Sequence, residues 1–289
     1  MIIRQSYNVD STIFEYLNNN SPDKTGNICI LFNHGLGDYI LFLPIFEKLQ
    51  KVFKDKWNLK IGSLPEKGFK CLHKDSIFVT PPYGSYSDEF DVIFNINYVE
   101  PPREKLNDDK INKPELCNKL EIGIPYFEWG CYKLPMQFTK IFKHNRIGVH
   151  FFGYAWGNDK NADVDVSKKI WDEIIKSSFN PYEIQMIPPN KIGLIEHPSF
   201  LNRENSLRFN YPNIRLMIQE ISKCDYFIGV DSGPLYLALS ILGPDRCIGL
   251  QKNREIKKAF PRPSINIVDI KDYKDGSILS LIEQGENNV

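Results

Sequence analysis

Residues 28–32, Ile28-Cys29-Ile30-Leu31-Phe32, are apolar without a break, and Asn33-His34-Gly35-Leu36-Gly37-Asp38 follows directly, ahead of a long apolar run of helical periodicity. An unbroken apolar strand has to be covered on both faces, which is the environment inside a parallel sheet. The small-residue turn then delivers the chain into a helix that lies back over that sheet, so the stretch implies an α/β architecture. Gly35 and Gly37 are expected to let the backbone turn tightly or accept a ligand close to it. Asp38 falls where the helix should start. There a carboxylate either caps the helix and favours its positive end, or faces a cleft as a base or polar anchor.

Tyr39, Phe42, Leu43, Phe46, Leu49 and Phe53 carry the helical spacing onward. Pro44 interrupts it, so the helix is either kinked there or begins there. Residues 59–61, 77–79 and 91–96 read as further strands separated by Gly/Pro-rich turns. The polar segment before residue 24 reads as a lead-in with one short amphipathic turn, 100–113 as an exposed loop, 115–120 as a short helix and 124–136 as an aromatic-rich irregular piece. At residue 146 the pattern restarts with a strand over 147–153 ending in a glycine turn. Val166, Ile170, Trp171, Ile174 and Ile175 mark the next helix, 182–187 a strand and 212–223 a helix. Residues 224–240 repeat strand, small-residue turn and apolar helix, and 247–250, 265–270 and 277–283 close the chain as two strands and a helix. Two α/β units, 1–143 and 144–289, are therefore expected.

Lysine plus arginine and aspartate plus glutamate both total 36, so no global field recruits nucleic acid or an anionic membrane. Cys29, Cys71, Cys117, Cys131, Cys224 and Cys247 form no C-x-x-C pair and no zinc-like cluster with histidine, and are expected to be reduced core residues. The first residues lack the basic start and apolar core of a signal peptide, and no apolar run is long enough to span a bilayer. A soluble, cytoplasmic protein is expected.

In parallel α/β sheets ligands bind at the carboxyl ends of strands, where helix N-termini point N–H groups at anions. Each half of the chain offers one such turn carrying an aspartate. Gly37-Asp38-Tyr39-Ile40-Leu41-Phe42-Leu43-Pro44 resembles the "GD, apolar run, LP" opening of the heptosyltransferase family, glycosyltransferase family nine. Ile228-Gly229-Val230-Asp231-Ser232-Gly233-Pro234-Leu235-Tyr236-Leu237-Ala238 resembles its IGxD(S/T)GxxHLA segment, and the two lie in the family's order.

The resemblance implies a GT-B fold, two Rossmann-like domains with parallel sheets facing an interdomain cleft, the acceptor held mainly by 1–143 and the nucleotide-sugar by 144–289. It implies metal-independent, inverting transfer with Asp38 as general base, since an alcohol is a poor nucleophile until a positioned carboxylate takes its proton. Gly35, Gly37 and His34 would border the acceptor. Asp231, Ser232, Gly233 and Pro234 match the donor turn, whose backbone amides would hold the diphosphate while Asp231 accepts a hydrogen bond from the sugar. The bland reading of that turn is a helix cap. Tyr236 replaces the family's histidine with a donor that carries no charge, which puts a diphosphate contact there in question. Lys160 occupies the loop of the family's phosphate-binding lysine, with Lys168 and Lys169 as competitors, and Arg254 would add positive charge; for both the plain alternative is a solvated surface residue.

No metal or other cofactor is implied beyond a nucleotide-sugar co-substrate, ADP-linked by resemblance. The acceptor would be a saccharide or lipid-linked glycan such as lipopolysaccharide, with at most peripheral membrane contact at the inner face. Asp163-Val164-Asp165 matches a D-x-D metal signature but directly precedes a helix, where acidic residues are common. His150 reads as a core histidine, and Phe127, Trp129 and Tyr132 either stack on a sugar face or, as is usual for such a segment, serve as packing. Two other readings stay open: a nucleotide-sugar epimerase or hydrolase of the same fold, and a non-catalytic sugar-nucleotide-binding protein.

Overall fold

The computed structural model describes residues 2–4, 13–20, 22, 24–33, 35–80, 89–97, 134, 145–153, 161–187, 200–201, 203–210, 213–252 and 265–286. The chain divides into two compact units, Met1–Tyr132 and Lys133–Val289, where the sequence placed the boundary at 143/144. Leu134 is buried, and its N–H bonds the carbonyl of Ser240 in the second unit, at 3.2 Å. The short helix expected over 115–120, the loop over 100–113, Phe127, Trp129 and Tyr132 lie outside the described residues.

The first unit holds strands β1 (Ile2–Arg4), β2 (Gly26–Asn33), β3 (Trp57–Ser63), β4 (Ser76–Phe78) and β5 (Val92–Asn97), with helices α1 (Ile13–Asn19) and α2 (Leu36–Phe53). Its sheet runs β1-β5-β2-β3-β4 and every pairing is parallel. β2 is the inner strand from which the chain leaves in one direction and returns on the other. The lead-in is more than an amphipathic turn: its first residues form the edge strand β1, and α1 buries Ile13 and Leu17.

α2 decides the shape of this unit. It starts at Leu36 and runs through Pro44 to Phe53, burying ten apolar residues. A proline inside a helix costs about 3 kcal/mol. Each large apolar side chain left exposed would cost about 1.5–3 kcal/mol, so burying Leu36 to Leu43 as helix outweighs the lost hydrogen bond. Phe42 stacks on Phe32 of β2 with centroids 4.6 Å apart, and Tyr39 meets Phe69 at 4.7 Å. The Tyr39 hydroxyl shares a 2.8 Å hydrogen bond with Ser76 Oγ, which satisfies a polar group buried in this packing.

The second unit holds β6 (Arg146–His150), β7 (Asn180–Ile187), β8 (Ser206–Asn210), β9 (Tyr226–Val230), β10 (Cys247–Gln251) and β11 (Asn266–Asp269). Its helices are α3 (Val164–Lys176), α4 (Ile214–Ser222), α5 (Gly233–Leu242) and α6 (Ser277–Glu286). The all-parallel order β11-β10-β9-β6-β7-β8 is the doubly wound order of a dinucleotide-binding sheet, with its reversal between β6 and β9. β8 was not expected from the sequence. Ile147, Val149, Ile228, Val230, Ile170, Trp171 and Ile174 join in the core on one face of the sheet. Glu173, buried on α3, accepts from the N–H groups of Gly276 (3.0 Å) and Leu279 (2.9 Å) and from the Tyr273 hydroxyl, so it caps the start of α6 from another helix.

Cys29, Cys224 and Cys247 are free and buried as expected, whereas Cys71 is exposed on the 3-10 turn Phe69–Leu72. That turn follows Gly68, at φ 65°, and the reversal turns the cysteine outward while Phe69 and Leu72 point in. Cys117 and Cys131 lie outside the described residues. Among the described residues no helix is long and apolar enough to cross a membrane.

Candidate functional site

In both units the motif aspartates follow the carboxyl ends of inner strands, where a doubly wound sheet reverses and leaves a crevice for ligands. Each half-site is built separately.

In the first unit Gly35 caps α2 with φ −67° and no side-chain bond, followed by Leu36, Gly37 and Asp38 in the first turn. Neither glycine adopts a positive φ, so the expected tight glycine turn is absent: Gly35 is extended and Gly37 is helical. What Gly35 contributes is room, because a Cβ there would stand 3.7 Å from Asp38 Oδ2. The Asp38 side chain therefore reaches back over the helix start, as first-turn side chains do, in the field of the positive helix end. A helix beginning at Pro44 would have left Asp38 in a loop; instead the aspartate is a first-turn residue, half-buried.

Lys67 was missed. It ends the 3-10 turn Pro65–Lys67, which follows β3, the parallel neighbour of β2, so that both turns leave the same end of the sheet. Its Nζ lies 5.9 Å from the Phe69 ring centroid, and that ring in turn contacts Tyr39, the residue after Asp38. Burial pushes the Lys67 ammonium down to about 8, against the opposing pull of Glu66 and Asp38. A cation partly out of water beside a candidate carboxylate marks a functional position. The sequence signal for it is position alone: a lysine just after the strand next to the aspartate-bearing one.

In the second unit β9 leads to Asp231 and then to Ser232, the N-cap of α5. The Ser232 carbonyl accepts from the N–H groups of Leu235 (3.1 Å) and Tyr236 (3.3 Å). Pro234 has no N–H, so Gly233 supplies the first-turn N–H that no helix carbonyl takes. Ser232 Oγ makes no cap bond; it is buried and has no partner among the described residues. Gly153, just past β6, approaches this turn closely, since a Cβ on it would stand 3.5 Å from Ser232 Cβ. Its N–H bonds Asn161 Oδ1 at 2.7 Å, and buried Gln185 donates to Phe152 O at 2.7 Å, which fixes the exit of β6 beside the α5 N-terminus.

Tyr236 has a partner inside the turn. Buried at the end of the first turn of α5, it donates its hydroxyl to Asp231 Oδ1 at 2.8 Å. Beneath the turn, His150 pairs in register with Gly229 and donates Nδ1–H to Ile184 O at 3.0 Å. Burial pushes His150 down to about 4, so it is the neutral core histidine expected from the sequence.

Asp163 stands at the N-cap position of α3 without a side-chain cap bond, its carboxylate pairing instead with Lys252 at 2.5 Å, while Asp165 sits in the first turn, so the D-x-D stretch is a helix start. Lys168, on α3, pairs with Asp172 one turn along the same helix, at 2.5 Å. Among the described residues no group of three or more His, Cys, Asp or Glu is arranged to hold a metal ion. His34, Lys160 and Arg254 lie outside the described residues.

No family model matches the chain, and no curated protein matches its sequence. Solved structures do match its fold. The E. coli ADP-heptose lps heptosyltransferase II aligns at TM-score 0.64 and 11% identity, covering 91% of this chain and 100% of that one. The iron-containing dodecameric glycosyltransferase TibC of enterotoxigenic E. coli H10407 aligns at TM-score 0.62 and 11% identity, covering 93% and 80%. A glycosyl transferase family 9 protein of Veillonella parvula DSM 2008 aligns at 0.56 and 11%, covering 92% and 98%. The chain thus has the α/β fold of the heptosyltransferases, with two parallel sheets.

Proposed function

We propose that this protein is a glycosyltransferase of the heptosyltransferase kind, moving a sugar from a nucleotide-sugar to a saccharide or lipid-linked acceptor. One observation carries the reading: in a fold matching heptosyltransferases over nine-tenths of the chain, the two motif aspartates stand at the two sheet-reversal points where such sheets take ligands. The name of the E. coli neighbour supports an ADP-linked donor, heptose included. The sheet-reversal turn at β9 supports donor binding, because the Gly233 N–H and Ser232 Oγ are neutral donors suited to diphosphate oxygens. Asp38 is the general base in this reading. It takes the acceptor proton as the hydroxyl displaces the nucleotide in one step, with inversion and without a metal ion, and the α5 N-terminus steadies the departing diphosphate. The protein acts in the cytoplasm, with membrane contact limited to its surface.

The test is Asp38→Asn in the full chain, assayed for transfer from ADP-heptose to lipopolysaccharide-core acceptors and for donor binding by calorimetry. Loss of transfer with donor binding retained is expected; near-normal turnover would remove Asp38 from the mechanism. Consumption of the nucleotide-sugar at the same rate without any acceptor would replace transfer by hydrolysis or epimerisation.

A further inference from the structure

We propose that Tyr236 is a positioning residue of the donor half-site: it holds the Asp231 carboxylate in place for the sugar hydroxyls of a nucleotide-sugar and leaves the diphosphate to Ser232 and Gly233. The inference rests on the glycosyltransfer reading above and deepens it.

A neutral phenol has a single proton to donate, and Tyr236 gives it to Asp231 Oδ1 at 2.8 Å across the turn. A diphosphate offers only acceptors, so the same hydroxyl has nothing left for it. Asp231 and Tyr236 are both buried, at 7% and 4% exposure, so the bond is shielded from competing water. An ionised carboxylate accepts about four hydrogen bonds, and Tyr236 occupies one of those positions on Oδ1. Sugar hydroxyls are natural donors to a carboxylate, and phosphate oxygens are excluded by like charge.

The neighbouring groups have the opposite character. Ser232 Oγ is buried without a partner among the described residues, the Gly233 N–H is one that no helix carbonyl takes, and both stand at the positive end of a ten-residue helix. Gly153 brings the β6 turn against Ser232. The anion-binding donors Ser232 and Gly233 follow the carboxylate of Asp231 directly in the chain and differ from it in sign. Tyr236 is the device that keeps the negative group from swinging toward the phosphate side.

The experiment is calorimetric titration of the full chain with ADP and with ADP-heptose, in wild type, Tyr236→Phe, Asp231→Asn and the double variant. Tyr236→Phe is expected to bind ADP within about twofold of wild type and ADP-heptose about tenfold more weakly. In the Asp231→Asn background the same change should cost nothing further, because the tyrosine acts through the aspartate. Tyr236→His, which keeps a ring donor, should recover part of the loss and serves if the phenylalanine variant melts early. Equal weakening toward ADP and ADP-heptose, or additive losses in the double variant, would overturn the positioning role. Wild-type protein that binds neither ligand would overturn the ADP-sugar reading itself.

Discussion

The two aspartate-bearing turns share one grammar and put their acids in different places. In the first unit Asp38 is inside the helix, in its first turn, half-buried, with a partly desolvated lysine as its charged neighbour. In the second Asp231 stands before the helix cap, buried, and is held by an uncharged tyrosine above a strand that carries a neutral histidine. A general base has to change charge during turnover, so solvent access and ionic surroundings suit it. An acid that only orients a ligand does better held fixed, as the Tyr236 hydroxyl holds Asp231. A difference of four positions relative to the helix start goes with the two proposed roles.

The largest expected effect breaks the comparison if it fails. General-base catalysis contributes about 10²–10⁴ in rate, so Asp38→Asn should lower kcat by that range in a steady-state transfer assay while the donor KM stays near wild type. A variant whose KM rises with kcat unchanged would move Asp38 to the binding class and erase the contrast with Asp231.

The second effect concerns the neutral frame under Asp231. His150 titrates near 4 when folded and near 6.5 in model peptides, so the unfolded chain binds the extra proton between those values. Stability therefore falls as pH drops from about 6.5 to about 4, by on the order of 3 kcal/mol for this group. Urea unfolding at several pH values in that window should show the slope in wild type and a flatter one in His150→Asn, which keeps a side-chain N–H for Ile184 O. An unchanged slope would mean that the frame is not what protons attack.

The smallest effect sharpens the ionic side. At pH 8 an amine titrating near 8 is about half neutral, against less than about 1% for an ordinary lysine. Brief acetylation at pH 8, read by peptide mass spectrometry, should modify Lys67 several-fold faster than surface lysines. The modified protein should lose transfer before it loses donor binding. Uniform labelling across lysines would leave Asp38 without a special neighbour.

Much of the fold could be read from apolar runs, because a strand covered on both faces has to be apolar throughout; β2, β6, β9 and β10 announce themselves this way. Edge strands carry no such requirement. β8 buries only Phe209 fully and β1 is three residues long, so neither was visible. Pro44 left two starts open for the helix, since local propensity takes no account of how much apolar surface the sheet hides. The aspartates were readable from their turns. Lys67 was not, as its 3-10 turn lacks the strand-to-helix pattern, and neither was the Tyr236–Asp231 bond, which exists only once the turn brings residue 236 back over residue 231.

The edge strand β1 also bears on how the chain assembles. Ile2 pairs with Ile93, so the earliest-synthesised residues of the strand find their partner only after α1, α2 and three other strands have been made. Closing so long a loop is entropically slow compared with the contacts inside β2-α2-β3. On the ribosome the sheet therefore grows outward from β2 and its last seam is sewn with the first thread, which leaves the amide protons of that seam the earliest in the unit to exchange with deuterated water.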